Sequence, residues 1–417
     1  MLPSAGARVN SFTSGNRLTL LRNGEQYFPA LVAAIDAAKA EVFLETYIFA
    51  DDETGSLIAD ALARAAARGV ATQLLIDGFG ARDFAPRFRD MLLAAGAELL
   101  VFRPQVSPWP FWKQRSRLRR MHRKLVSIDA AVAFVGGINV IDDFHTPDPS
   151  PPRYDYAVKI DGPLAAQVRA AAAQLWRRVS WATLGARWRR WPGFALLAVR
   201  APPQALPRQA PPQGGGQRAA LDESNQRAAL VLRDSLRHRR DIENAYIEQI
   251  DAARSEVLIA NAYFFPTRRF RRALLQAARR KVNVTLLLQG KADHPLQHLA
   301  SRALYRAMLG AGIRIHEYHS SVLHAKVAVF DGRVATVGSS NIDPFSLGLA
   351  QEANLFADDR PFAAELRTSL HEAIEKRARA VPVHYWRRLS FALKARIWLA
   401  YRFARLLMVI YGFDRLR

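Results

Sequence analysis

A chain of 417 residues, half of them apolar, is long enough for two cores rather than one. Its 60 Lys and Arg against 37 Asp and Glu leave a formal charge of +23, which directs it toward anionic partners, either nucleic acid or acidic lipid. With no cysteine it has neither disulfides nor thiolate chemistry, in keeping with a cytosolic site, and no signal-peptide core or long uncharged apolar run predicts export or a membrane span.

Residues 17–21 read as a short strand, Asn23-Gly24 as a turn and 27–40 as an amphipathic helix. A buried strand over 41–49, a helix over 55–68, a strand over 70–77, a helix over 83–95 and a strand over 98–102 follow. Such alternation predicts an α/β layer architecture. Residues 103–120 carry Trp109, Phe111 and Trp112 ahead of Lys113, Arg115, Arg117, Arg119 and Arg120, a composition suited to a loop lying in a lipid interface. A strand over 153–160 and a helix over 164–179 complete a first domain, residues 1–200. Pro and Gly dominate 202–217, so 201–228 reads as a linker.

The second half restarts the pattern. A-A-I-D-A-A-K-A-E-V-F-L-E-T-Y-I-F at 33–49 is echoed by I-E-Q-I-D-A-A-R-S-E-V-L-I-A-N-A-Y-F-F at 247–265, with Asp36 matched to Asp251 and Glu41 to Glu256. A helix over 268–280, a strand over 282–288, a helix over 298–311 and a strand over 313–318 follow, and 229–383 form a second domain. A duplication of this length predicts two similar α/β domains packed about a pseudo-two-fold axis. In the tail, 384–417, Lys394, Trp398, Arg402 and Arg405 recur at helical intervals among large apolar residues, as in an amphipathic helix that lies on a membrane. All eight tryptophans fall in three places: the loop of 103–120, the segment before the linker, and this tail.

Two stretches carry chemistry. L-H-A-K-V-A-V-F-D-G-R-V-A-T-V-G-S-S-N at 323–341 reads as a β-hairpin turning at Asp331-Gly332, with His324 and Lys326 on one side of its first strand. A two-residue turn would set Phe330 against Arg333, Lys326 against Val337 and His324 against Ser339. Residues 122–139, H-R-K-L-V-S-I-D-A-A-V-A-F-V-G-G-I-N, repeat the pattern: a single offset of 202 carries His122, Lys124, Asp129, Gly136 and Asn139 onto His324, Lys326, Asp331, Gly338 and Asn341. Packing alone does not explain two ungapped copies.

Phosphodiester transfer needs a nucleophile, a proton donor for the departing oxygen, and positive charge around the non-bridging oxygens; near neutral pH, imidazole serves in either of the first two roles. With both hairpins in one cleft, one histidine attacks phosphorus to form a phosphohistidine, and the other protonates the leaving alcohol and then deprotonates the incoming one. Lys124 and Lys326 would hold the phosphate, assisted by Asn139, Ser339 and Asn341 as neutral donors, and no metal or other cofactor is called for. Asp129 and Asp331 fall at the turns, away from the histidine ends, and read as structural. Ser339 has Gly137 as its counterpart, so the two copies are chemically unequal. Glu45, near the end of the strand at 41–49, is a further candidate for the cleft.

H-x-K-x-x-x-x-D, present twice and followed each time by a Gly-containing turn and an Asn, resembles the phospholipase D superfamily, and its bacterial cardiolipin synthase branch in particular, over about residues 18–378. The resemblance implies two duplicated α/β domains sharing one active site, a two-step double-inversion route, and a signature set of His122, Lys124, Asp129, His324, Lys326 and Asp331. It favours His122 as nucleophile and His324 as acid/base, although both copies carry the same groups and the residues themselves leave this open. It implies further that the acid opening the strand after each hairpin orients an imidazole, Asp155 for His122 and Glu352 for His324. The implied substrate is phosphatidylglycerol, met by a peripheral protein at the inner face of a bacterial membrane: one molecule gives its phosphatidyl group to another and glycerol leaves. A phospholipid hydrolase and a superfamily nuclease are the rival readings. Stacking on bases would put aromatics beside the cleft rather than in an amphipathic tail, so lipid, not nucleic acid, is the expected partner.

Overall fold

The computed structural model describes residues 12–104, 119–144, 152–190, 225–234, 238–291, 295–343 and 350–410. The Trp- and Arg-rich stretch 105–118, residues 191–224, which take in the end of the first domain and most of the linker, and the last seven residues of the tail lie outside the described residues.

The first half runs β1 (Thr13–Arg22), α1 (Asn23–Asp36), β2 (Glu41–Thr46), α2 (Glu53–Ala67), β3 (Ala71–Asp77), α3 (Pro86–Ala94), β4 (Glu98–Phe102), β5 (Lys124–Ile128), β6 (Val132–Gly136), β7 (Tyr156–Asp161) and α4 (Pro163–Arg190). The second runs β8 (Gln226–Arg233), α5 (Asp241–Ala252), β9 (Glu256–Asn261), α6 (Arg268–Arg279), β10 (Asn283–Gln289), α7 (Pro295–Gly310), β11 (Arg314–Tyr318), β12 (Lys326–Phe330), β13 (Val334–Gly338), β14 (Glu352–Asp358) and α8 (Arg360–Arg377). Each element of the first half thus has a counterpart in the second. The short β15 (Ala378–Ala380), α9 (Tyr385–Arg388) and the long α10 (Phe391–Ile410) follow.

These strands join a single sheet in the order β15-β11-β10-β9-β12-β13-β14-β8-β1-β7-β6-β5-β2-β3-β4. At its centre β1 pairs antiparallel with β8, Thr13 opposite Ala228, and the order repeats outward on either side of that junction, which is the expected pseudo-two-fold. Within each half the strands next to the helical crossovers are parallel, as β2 with β3 and β9 with β10. Crossover helices cover both faces of such strands, so all six residues of β2 are buried. The α1 helix follows a 3.6-residue period, burying Tyr27, Phe28, Leu31 and Ile35.

The halves share a core as well as a sheet. Leu18, Val135 and Val158 from the first half, Val327, Val337 and Leu355 from the second, and side chains of α4 and α8 form one buried apolar cluster. Removing each such side chain from water stabilises the fold by about 1.5–3 kcal/mol, so the junction is part of what folds the molecule. The strand β8 begins at Gln226, two residues before the expected end of the linker at 228, because Ala228, Ala229 and Val231 are buried.

Both motif hairpins form, but one residue out of the expected register. Asp331 and Gly332 take φ of 51° and 58°, Asp129 and Ala130 take 52° and 55°, and Arg333 and Ala131 close the turns by donating to Phe330 and Ile128. The ladder starts one residue later, with Phe330 opposite Val334, Val327 opposite Val337 and Lys124 opposite Gly136. Lys326 therefore does not face Val337, nor His324 Ser339: the residue after each turn bulges, which a turn motif in sequence does not reveal.

Candidate active site

Because β5 runs antiparallel to β2, and β12 to β9, the start of each hairpin lies at the C-terminal ends of the parallel strands. Just before the hairpins the backbone crosses the pseudo-two-fold. Met121 forms a parallel bridge with Gln351, and Leu323 forms one with Tyr154. The His122 N–H donates to the Gln351 carbonyl and the His324 N–H to that of Tyr154, both at 2.9 Å.

The residues following these bridges are drawn side by side. His122 Nδ1 is 3.0 and 3.2 Å from the two carboxylate oxygens of Glu352, and His324 Nδ1 is 2.5 Å from Asp155 Oδ2. The expected partners are exchanged: each imidazole is oriented by the acid of the other half. Proximity in sequence suggests the nearer acid, whereas the backbone bridges that decide the matter are visible only after the halves associate.

Burial and charge act unequally on the two pairs. Glu352 is held below the usual carboxylate range because His122, Lys124 and the Ser339 hydroxyl outweigh its burial. Burial lowers the pKa of His122 against the opposing pull of Glu352, which favours a neutral imidazole donating its Nδ1–H to that carboxylate. Its Nε2 then carries a lone pair. Asp155 is raised to about 6 by burial, and burial together with Lys326 and Arg153 takes His324 well below its ordinary value. Both members of this pair resist charge, and a hydrogen bond of 2.5 Å joins them.

Lys124 and Lys326 are buried and bind the carbonyls of their own motif histidines, Lys124 at 2.6 Å from His122 O. Lys326 Nζ also lies 3.9 Å from Asp155. Burial brings Lys124 down to about 7, Glu352 and Asp155 opposing and Lys326 reinforcing the shift. The crossed bonds of His122 to Glu352 and of His324 to Asp155 bring the two motifs together.

Other candidates have different work. The Ser339 hydroxyl donates to Glu352 Oε2 at 2.5 Å, so it fixes the acid behind His122 and is not a donor to phosphate. A Cβ at its counterpart Gly137 would come within 2.4 Å of the Asp155 carboxylate, so glycine makes room for the shorter acid. Asn139 Oδ1 accepts the Ile48 N–H, tying the end of β2 to the loop after the first hairpin, and the buried Asn341 Oδ1 has no partner among the described residues. Asp129 takes the N–H groups of Lys39, Ala40 and Glu41, and Asp331 those of Arg254, Ser255 and Glu256, so both signature aspartates clamp the chain entering β2 or β9, as a structural role requires. Glu45 does not reach the cleft. It is ion-paired with Arg123, which alternation puts on the opposite face of the strand from His122 and Lys124.

Three residues were not singled out from the sequence. Tyr47 stands edge-on to His122 with ring centroids 4.8 Å apart, and Lys124 Nζ lies 5.5 Å from its ring. Its counterpart in the repeat is Ala262, which carries no ring. Asp77 Oδ2 accepts the Met121 N–H at 2.9 Å, and Gln289 Oε1 accepts that of Leu323 at 3.0 Å, each aligning the residue before a histidine. Both close a parallel strand at equivalent places, β3 and β10, and the carboxyl end of a parallel strand was the available signal.

Twin His-Lys hairpins in one pocket, with each imidazole backed by a buried carboxylate, define a protein of the phospholipase D superfamily. A family model described as cardiolipin synthase, phospholipase D-like domain, matches residues 31–176 and 246–374. The chain is 38% identical over 374 residues to cardiolipin synthase B of Escherichia coli K12, covering 87% of this chain and 82% of that protein. It is 27% identical over 383 residues to a probable cardiolipin synthase of Bacillus subtilis, covering 92% and 70%. Among solved structures, phosphatidylserine synthase of Haemophilus influenzae Rd KW20 superposes with a TM-score of 0.64 at 12% identity over 95% of each chain, a likeness of fold. The chain belongs to the cardiolipin synthase family, phosphatidyltransferases of the phospholipase D superfamily.

Proposed function

We propose that this protein makes cardiolipin from two molecules of phosphatidylglycerol through a phosphatidyl-histidine, working from the membrane surface at the cytoplasmic face. The crossed His–carboxylate pairs carry the reading, because they give one pocket two imidazoles in different protonation environments. His122 is the nucleophile. Its Nε2 forms a bond to the donor phosphorus, the bond from phosphorus to the glycerol oxygen breaks, and His324 gives the proton on its Nε2 to the departing glycerol while its Nδ1 takes up the proton of the Asp155 hydrogen bond. A headgroup hydroxyl of the second lipid then passes its proton back to His324, attacks phosphorus, and releases His122. Lys124 and Lys326, charged while phosphate is bound, stabilise the equatorial oxygens in both steps. Glu352, Ser339 and Tyr47 position His122; Asp155 positions His324.

The test is incubation of purified protein with labelled phosphatidylglycerol and identification of the products by mass. Cardiolipin and glycerol in equal amounts are expected from wild type, and neither from His122→Ala or His324→Ala. Phosphatidic acid as the main product would make the enzyme a hydrolase, and activity retained in either variant would overturn the shared-site mechanism.

A further inference from the structure

The cleft sits at one end of the sheet, and exposed apolar side chains gather around that end. Phe79 stands two residues beyond β3, Phe144 follows the loop after β6, and Leu296 lies in the first turn of α7; these are 44%, 64% and 44% exposed. The α10 helix adds a larger surface. It is fixed to the second half through buried Ile397 and Ala400 and through Tyr401, whose ring is 5.8 Å from that of Phe265. Phe265 in turn donates its N–H to Ile342, the residue after Asn341, so the helix is moored beside the second motif.

The outward face of this helix presents Trp398, Leu399, Phe403 and Leu406, all about half exposed or more. Lys394, Arg396, Arg402 and Arg405 are interleaved with them, and the Arg402 guanidinium lies 5.6 Å from the Trp398 ring. No acidic residue occurs between Glu375 and Asp414. Among the described residues no helix is long and apolar enough to cross a membrane. Apolar side chains flanked by cations, on a helix that does not span, suit a layer that is apolar below and anionic above. A second copy of the chain fits less well, because a two-fold contact would set cation against cation with no acid on either helix to answer it.

We infer that the outer face of α10 and the apolar rim of the cleft form one docking surface for an anionic lipid bilayer, holding the cleft mouth toward the headgroups. The inference rests on the proposed function for the identity of the lipid it serves, but not for the binding itself. The test is flotation of the full chain with vesicles of phosphatidylcholine made with and without phosphatidylglycerol. Wild type floats with the anionic vesicles, Leu399→Glu/Phe403→Glu floats about tenfold less or worse, and Leu93→Glu, an exposed apolar position on α3 at the opposite end of the sheet, floats as wild type does. Thermal unfolding of each variant checks that the fold is kept. Undiminished flotation of the double variant overturns the inference, and so does a wild-type dimer that this variant converts to monomers. The inactive His324→Ala variant is expected to float normally. Flotation without cardiolipin formation by wild type would overturn the proposed reaction and leave the docking surface standing.

Discussion

At the scale of single residues, the exchange of acids between the histidines has a kinetic consequence. A phosphodiester substrate with a nitrophenolate leaving group needs no proton donor for the first step, so release of nitrophenol reports the nucleophile alone. Glu352→Gln removes the negative partner of His122 and is expected to slow that burst by on the order of 10²-fold. Asp155→Asn is expected to spare it and to impair turnover of phosphatidylglycerol. Pairing within each half would exchange the two phenotypes. Lys124 gives a second expectation. If phosphate binding uses the Lys124 ammonium as proposed, whose pKa burial has brought to about 7, kcat/KM for phosphatidylglycerol should fall above that pH by about tenfold per unit. In kcat the limb should move upward, because bound phosphate favours the charged form. Removing the quadrupole of the neighbouring ring by Tyr47→Ala weakens the ammonium further and shifts the kcat/KM limb to lower pH, while Tyr47→Phe leaves it in place. A Tyr47→Ala enzyme with an unshifted limb would reduce this ring to packing.

Elements show where sequence was sufficient. Each hairpin is legible in its alternation, the second also in its Asp-Gly dipeptide, and the turn residues of both take left-handed backbone. Register was not legible, because the bulge after the turn depends on neighbours: Asp129 and Asp331 reach across to cap the chain entering β2 and β9, and that clamp fixes the turn as it bonds it. The two copies differ here in a measurable way. Ala130 holds φ of 55° where the repeat has Gly332, and a Cβ in that region costs about 1 kcal/mol. Ala130→Gly should therefore raise stability by about that amount, seen as a higher denaturant midpoint with unchanged activity. Asp331 acts in the same element through charge. Three backbone N–H groups and the Ser255 hydroxyl outweigh its burial and hold its pKa below the usual carboxylate range. Its contribution is thus complete above the usual Asp pKa and is lost as pH falls through the depressed folded value. Asp331→Asn should flatten the acid side of the stability curve, measured as melting temperature against pH.

Over the whole molecule, duplication was readable and the way its products meet was not. Repeated motifs foretold two α/β units and one shared pocket, yet β1 and β8 carry no mark in sequence that they pair, and the span read as linker overlapped the start of β8. The same junction predicts that neither half works alone. A lone first half would expose the edge of β1, leave its share of the central cluster wet, and leave His122 facing no carboxylate, because Glu352 belongs to the other half. A lone second half would have His324 without Asp155 in the same way. Expression of 1–224 and 225–417 as separate chains should accordingly give no cardiolipin from either alone. Expression of the two together should restore synthesis if the sheet junction and the buried cluster suffice to hold them without a covalent link. Combining a His122→Ala first fragment with an intact second should abolish synthesis again, since one imidazole would remain. Activity from a single fragment at a concentration where light scattering shows it monomeric would mean that one His-Lys hairpin needs no second half.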